Sequence, residues 1–249
     1  HYKNYYAPNN AVVVAIGDFE TTNLYQKMER YFGDLSATDL PPSLDVKEPP
    51  QDEPRRVEVH HPGPFPVLIM CHHIPERGHP DYAALLVMNS LLSGPPSGPF
   101  GGGTTLRTSR LYQRFVASGL AASVSADTGS NIDPSLHRIF LVLKPDSEPD
   151  PLERAVEDEM HRLCEKPPNS DELARVIRQT RAKRAIMLES VTSQALTLGM
   201  LEMASSWHLA DTLTDELCAV TPSDVQRVCL LYTSPSPRDA TLARMPACG

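Results

Sequence analysis

The sequence predicts an α+β fold: an antiparallel sheet with helices packed on one face. Short β-branched and apolar runs dominate the first part of the chain, and helical spacing of apolar residues prevails from residue 150 onward. The elements follow the order β-β-α-loop-α-β-β-α-α-α, which indicates segregated layers rather than alternating βαβ units. Hydrophobic residues make up 41% of the 249-residue chain, enough to fill a core between such layers.

The first 34 residues are interpreted as the end of one domain. Ala11–Ile16 is a short β-branched run and predicts a buried strand. Apolar residues at helical spacing predict a helix over Asn23–Phe32. Residues 35–54 combine five prolines with acidic side chains, which predicts an extended linker. The linker separates the remnant, residues 1–34, from a second domain, residues 55–228.

The second domain begins with strands and continues with helices. Its first helix follows Pro80 and has one broad apolar face, formed by Tyr82, Leu85, Leu86, Met88, Asn89 and Leu92. The loop Gly94–Thr108 is rich in Gly and Pro, so we expect it to be exposed and mobile between two packed helices. The predicted strands are Arg55–His61, Val67–His73, Ala121–Ala126 and Arg138–Leu143. Further helices are predicted over Ser109–Ala117, Ser170–Ile186, Ser193–Ala204 and Leu209–Val220. Two more helices are predicted to begin at Asp150 and at Thr221.

Residues 229–249 are interpreted as an artefactual, unstructured tail. Cys229–Asp239 matches, over eleven residues, the frame translation of a transposase-type sequencing adapter; the alternative is an ordinary Pro/Ser-rich tail. Pro235 and Pro237 break any helix that continues from Val228, so we expect the tail to add nothing to the fold. The remaining cysteines are widely spaced and predict neither a disulfide framework nor a Cys-x-x-Cys metal site: Cys71, Cys164 and Cys218.

Composition argues against two classes of partner. The formal net charge is −8, and the chain has no Lys/Arg cluster, which argues against nucleic acid. The longest apolar runs are far shorter than the ~20 residues that a membrane-spanning helix needs. The composition therefore predicts a soluble globular protein. No signal peptide is visible after His1, so the amino end does not indicate a compartment.

Histidine pairs on two predicted strands raise the question of a metal site. His60 and His61 lie on one strand, and His72 and His73 follow Cys71 on the next. Neighbours on a strand point to opposite faces, so only one histidine of each pair could join a common site. Neither the His-x-x-Glu-His nor the His-Glu-x-x-His zinc spacing occurs. We therefore expect strand-surface or chamber-wall histidines rather than a metal site.

The glycine run before Thr104 does not predict a phosphate site. A P-loop requires a Lys before the Thr and a strand-to-helix context, and both are missing around Gly101, Gly102 and Gly103. A Gly-rich surface loop is the better interpretation. The residues alone thus predict a fold class and no reaction.

Several segments together resemble the insulinase, pitrilysin and mitochondrial processing peptidase family of zinc metallopeptidases. Tyr5-Tyr6-Ala7-Pro8-Asn9-Asn10 running into Ile16-Gly17-Asp18 is similar to the family's Y-x-P-N-N segment, and Tyr31-Phe32-Gly33-Asp34-Leu35 to its y-F-G-d-l segment. The resemblance covers residues 1–228 in the right order. It continues through His79–Leu85, Asn89–Gly94, Ser109–Tyr112, Leu120–Ala126 and Thr221–Gln226.

The resemblance implies half of a clamshell that closes around a peptide or unfolded protein substrate. It places the zinc ligands and the general base in the missing N-terminal peptidase domain, upstream of His1, so this chain alone is expected to be inactive. The intact parent would be a zinc metalloendopeptidase. The rival interpretation is a noncatalytic partner or scaffold subunit, as a homodimer or paired subunit, and the weakest is an unrelated interaction domain. A bacterial source would imply a periplasmic or otherwise extracytoplasmic protein.

The resemblance also indicates where this half would meet its substrate. The family's substrate-contacting Arg and Tyr fall on Phe115 and Ala122, so neither is carried over. The Gly-rich stretch resembles a substrate-handling loop of a noncatalytic subunit, and a neutral insertion is the alternative. We expect the arginines that follow it to favour acidic or carboxy-terminal groups, the alternative being solvated side chains. The substrate-chamber candidates are Gly101, Gly102, Gly103, Arg107, Arg110 and Arg114.

Overall fold

The computed structural model describes residues 2–42, 51, 53–60, 63–98, 105–145 and 147–233. It confirms the predicted α+β class, with a three-stranded antiparallel sheet and helices packed on one face. A short 3₁₀ turn, Pro8–Asn10, follows α1, and a π-helical segment, Tyr112–Ala117, lies between α3 and β2. The elements in chain order are α1 (Tyr2–Tyr5), α2 (Thr21–Phe32), β1 (Val67–Ile74), α3 (Tyr82–Leu92), β2 (Ala121–Thr128), β3 (Ser135–Leu143), α4 (Pro149–Glu165), α5 (Ser170–Met187), α6 (Val191–Ala204), α7 (Leu209–Ala219) and α8 (Pro222–Thr233).

The strands lie in the order β1-β3-β2, with β3 in the centre. Residues opposite one another form rows across the sheet, such as Ile69, Phe140 and Ser125. Because side chains alternate along a strand, every second row faces the helices and the rows between them face away. Ile139 and Leu141 on β3 are fully buried on the helix side. We call the opposite side the outer face of the sheet.

Helix α3 is the centre of the hydrophobic core. Every residue from Tyr82 to Leu92 is buried, so the helix is covered on all sides and not only along the predicted apolar face. It packs against α5, α7, α8 and the sheet. A helix that is apolar all round belongs in the interior, which explains its position. Helix α4 covers the same core with Leu152, Val156, Met160 and Leu163.

Two predicted strands are wrong. Ala11–Ile16 is mostly exposed and has no strand pairing, and residues 55–60 have no regular structure; His61 lies outside the described residues. Val57 and Val59, which gave the second segment its alternating pattern, are 83% and 80% exposed. A strand requires a neighbour for its N–H and C=O groups, and none of the described residues provides one for either segment. Local alternation alone therefore did not produce a strand.

The expectation that the tail adds nothing is wrong for its first five residues. Helix α8 continues through Thr233, and Cys229 is fully buried and forms a disulfide with Cys164. The expectation of no disulfide is corrected by the same contact. Tyr232 donates a hydrogen bond from its hydroxyl to Oδ2 of Asp81 at 2.8 Å. Residues 234–249, with Pro235 and Pro237, lie outside the described residues.

The described helices are too short or too polar to cross a membrane.

Candidate functional site

Arg110, one of the predicted chamber residues, is bound within the protein. Its Nε donates to Oε1 of Glu172 at 2.9 Å, and its Nη2 donates to Oε2 at 2.7 Å. Only 21% of either side chain is exposed. The hydrogen bonds raise the pKa of Arg110 and lower the pKa of Glu172. The pair joins the start of the π-helical segment to the first turn of α5, so Arg110 has a structural partner already.

Arg107 and Arg114 are held less firmly. Arg107 is exposed, and its backbone carbonyl accepts a hydrogen bond from Nε2 of Gln113. Arg114 is half-buried, and its Nε has no hydrogen-bond partner among the described residues. Nearby, Nη1 of Arg175 on α5 donates to Oγ1 of Thr108 at 3.2 Å. We call Arg107, Arg114 and Arg175 together the arginine surface.

The two ends of the Gly-rich loop are fixed. The N–H of Leu106 donates to the carbonyl of Ser93 at 2.8 Å, and Oγ1 of Thr105 donates to the carbonyl of Val124. Ser93, Gly94 and Pro95 are buried, so the expectation of an exposed, mobile loop is wrong for its beginning. Gly94 has a φ of 149°, which favours glycine at this sharp exit from α3. Gly101, Gly102 and Gly103 lie outside the described residues.

The outer face of the sheet is the feature that sequence reasoning missed. Val67 and Ile69 on β1 are 48% and 54% exposed, and they pair with Val142 and Phe140 on β3. In the next row along, Nη2 of Arg138 forms a 2.7 Å ion pair with Oδ1 of Asp127, while Cys71 completes the row. The signal was present in β1: a strand that is apolar on both sides predicts burial on both sides. Among the described residues, helices cover only one side of the sheet.

The histidines do not meet in one site. His72 points to the helix layer and His73 to the outer face, where its Nε2 lies 3.1 Å from Oε1 of Gln51. His60 lies 3.3 Å from Oε1 of Glu58, and His61 is outside the described residues. Within the described ranges no group of three or more His, Cys, Asp or Glu could hold a metal ion.

Helix α6 carries a second incompletely covered apolar surface. The segment around Val14 packs on it, and Val14 Cγ2 lies 3.6 Å from the position that a Cβ on Gly199 would take. The same helix and the β2–β3 loop border an open groove of about 590 Å³. The groove is lined by exposed apolar side chains that include Ile132, Leu196 and Met203.

Comparison with known proteins gives one family and a consistent fold. Residues 1–180 match the family model described as the peptidase M16 inactive domain. Over 91 residues the chain is 31% identical to the zinc protease PqqE of Helicobacter pylori. The matched region covers 35% of this chain and 20% of that protein. The chain thus spans about a fifth of the curated relative it matches.

Solved structures agree with the fold. A protease from Helicobacter pylori superimposes with a TM-score of 0.84 and 21% identity, over 93% of this chain and 55% of that one. The inactive peptidase domain of a putative zinc protease from Bordetella parapertussis gives a TM-score of 0.58 and 21% identity, over 71% of this chain and 88% of that one. At this identity the likeness establishes the fold alone.

Proposed function

Because the chain belongs to the peptidase M16 family through its inactive domain, we propose that it is the noncatalytic half of a zinc-dependent endopeptidase. In this proposal it forms one wall of a chamber in which a peptide or an unfolded protein is cleaved. The open outer face of the sheet is the observation that carries the proposal. The relatives described as a zinc protease and as an inactive peptidase domain support the proteolytic context.

The outer face has the chemistry of a peptide-binding wall. Val67, Ile69, Phe140 and Val142 form two adjacent apolar pairs across β1 and β3 on this face. An extended peptide presents every second side chain to such a surface, and each apolar contact contributes about 25 cal/mol per Å² removed from water. The charged row beyond them is internally neutralised, because Arg138 and Asp127 pair with each other. This wall therefore favours apolar side chains and an extended backbone.

Zinc belongs to the paired half in this proposal. A zinc site needs three or four His, Cys, Asp or Glu ligands in one place, and the described residues bring no such group together. The described residues thus do not fit the metal, and no chemical step proposed for them involves it. The contribution of this half is to bind and orient the polypeptide.

The surface of α6 fits the contact with the paired half. Side chains between Val14 and Leu24 border a pocket at the start of α6, and the exposed apolar groove with Leu196 and Met203 lies farther along the same helix. If residues 1–34 are the end of the first domain, the rest of that domain reaches α6 along the same surface. Burial of the groove then explains why these side chains are apolar.

The arginine surface is the proposed site for acidic or carboxy-terminal groups of the substrate. Arg107 and Arg114 carry this role, and Arg110 positions them by fixing the π-helical segment to Glu172. The loop with Gly101, Gly102 and Gly103 is part of the same proposal. Guanidinium groups bind carboxylates in a bidentate manner, which gives the contact its chemistry.

The test is a charge placed on the outer face of the sheet in a longer parent protein. We expect Ile69→Asp to lower kcat/KM for an apolar unfolded substrate by about 10- to 100-fold, because the carboxylate replaces an apolar contact and must lose water. Ile186→Asp is the matched control, since Ile186 is 61% exposed at the end of α5, away from the sheet. Thermal unfolding of both variants is measured alongside the kinetics.

Equal kinetics for the two variants would remove the outer face from substrate binding. If the parent binds the substrate in an Ile69-dependent manner and cleaves nothing, the chain is a scaffold or substrate-holding subunit instead.

A further inference from the structure

Two buried polar side chains, His137 and Thr128, and the half-buried His72 form one row on the helix side of the sheet. His72 on β1 and Thr128 on β2 both lie opposite His137 on β3. Nδ1 of His72, Nδ1 of His137 and Oγ1 of Thr128 are buried without a hydrogen-bond partner among the described residues. The two imidazole rings have centroids 6.3 Å apart. Buried polar atoms are nearly always paired, so a row of three unpaired ones requires an explanation.

The hydrogen bonds of α3 fix the protonation of His137. Its Nε2 lies 3.2 Å from Oδ1 of Asn89, and Nδ2 of Asn89 donates to the carbonyl of Gly94 at 3.3 Å. The amide oxygen of Asn89 only accepts, so the proton of His137 is on Nε2. Nδ1 then carries a lone pair that faces no donor. A second proton on His137 would make a fully buried cation.

Within the part of the chain that the structure describes, no acidic group of the neighbouring elements is positioned to compensate such a cation. The only ionisable side chain of α3 is Tyr82, whose hydroxyl donates to the carbonyl of Gly129. On β2 and β3, Asp127 and Arg138 pair on the opposite face. The ionisable groups nearest the core on α4 and α8, the helices that pack on β1, have partners of their own. On α4, Glu159 contacts Arg162. On α8, Asp224 binds Thr221, and Arg227 and Tyr232 both bind Asp81.

We propose that the row of His72, His137 and Thr128 makes the packing of the sheet against α3 sensitive to pH. Both imidazoles must be neutral for the layers to pack. Acid favours chains in which the row has opened to water, because only there can the imidazoles take up a proton freely. Acid therefore lowers the stability of this domain through its interior. The effect does not depend on whether the outer face of the sheet binds a substrate.

The direction and size of the effect follow from the pKa of His137. Burial, and secondly the neighbouring His72, lower it from 6.5 to about 3, and burial also lowers the pKa of His72. The stabilisation is therefore complete above pH 6.5 and is lost as the pH falls toward 3. For His137 alone, the folding equilibrium constant at pH 4.5 is expected to be about 100-fold below its value at neutral pH.

The test compares urea unfolding at pH 7.5 and pH 4.5 in three proteins. His137→Gln keeps an N–H donor toward Asn89 and does not titrate. Between pH 7.5 and pH 4.5 its folding constant is therefore expected to fall about 100-fold less than that of the unmodified chain. His73→Gln is the matched control, because His73 is the next residue of β1 after His72 and lies on the outer face. It is expected to behave as the unmodified chain does.

Parallel acid losses in His137→Gln and the unmodified chain would overturn the proposal. A second measurement does not depend on whether the variant folds: an NMR titration of the histidine rings in the unmodified protein. The proposal requires two rings, those of His72 and His137, that stay neutral well below pH 6.5. Ordinary titration of every ring near pH 6.5 would contradict it.

Discussion

Phe115→Ala is expected to lower the free energy of unfolding by about 3–5 kcal/mol, the usual range for removing a buried Phe side chain. Phe115 is fully buried in the π-helical segment and shares the core cluster with Leu111, which directly precedes the segment, and Val124 on β2. Truncation leaves a cavity that rigid neighbours cannot fill. Urea unfolding, followed by circular dichroism, measures the change.

Phe32→Ala is the control for this substitution. Phe32 is 56% exposed at the end of α2, so the same atoms are removed from a site that is largely in water. We expect a change below about 1 kcal/mol there. Equal effects of the two substitutions would show that Phe115 does not fill the core. Phe115 stands where the resemblance places a substrate-contacting arginine, and its burial explains why this position has no binding role here.

Arg110→Met is expected to lower the free energy of unfolding by about 2–3 kcal/mol, because it leaves the half-buried carboxylate of Glu172 without its charged donor. The substitution also cuts the link between the π-helical segment and α5. Arg178→Met is the matched control, since Arg178 is exposed on α5. The double variant Arg110→Met/Glu172→Leu should recover part of the loss, because neither charge is then left unpaired.

The Arg110–Glu172 pair has a defined pH dependence. The hydrogen bonds from Arg110 lower the pKa of Glu172 below 4.5, so the contribution of the pair is complete above that pH and is lost as the pH falls through the lowered pKa. A loss in Arg110→Met that equals the loss in Arg178→Met would mean that the pair adds nothing. The same result would leave Arg110 available to a substrate.

The long periodic helices and the strands β2 and β3 could be predicted from sequence, since their signals are local. Helix α5 begins at Ser170 as predicted, with Asn169 as its capping residue. The strands predicted at residues 11–16 and 55–61 were wrong, because a strand must pair with a neighbouring strand and the local sequence pattern does not reveal whether one is present. The predicted end of α8 was wrong because the prolines that were expected to break the helix come after Thr233.

The candidate site was less predictable than the fold. Arg110 is captured by Glu172, 62 residues away, and no spacing rule indicates such a distant partner. The row of His72 and His137 depends on the register of two strands, which sequence reasoning did not determine. The sequence predicted helices on one face only, but which side chains lie on the other face depends on the register of the three strands. The exposure of that outer face became visible only when the helices were placed.

The most direct test of the central claim measures zinc content and hydrolysis of an unfolded polypeptide, on this chain alone and on a longer parent protein that contains it. The account predicts neither stoichiometric zinc nor hydrolysis for the chain, and about one zinc per molecule with hydrolysis for the parent. Stoichiometric zinc on the chain alone, lost on His72→Ala or His73→Ala, would contradict the claim that this is the noncatalytic half, as would hydrolysis by the chain itself.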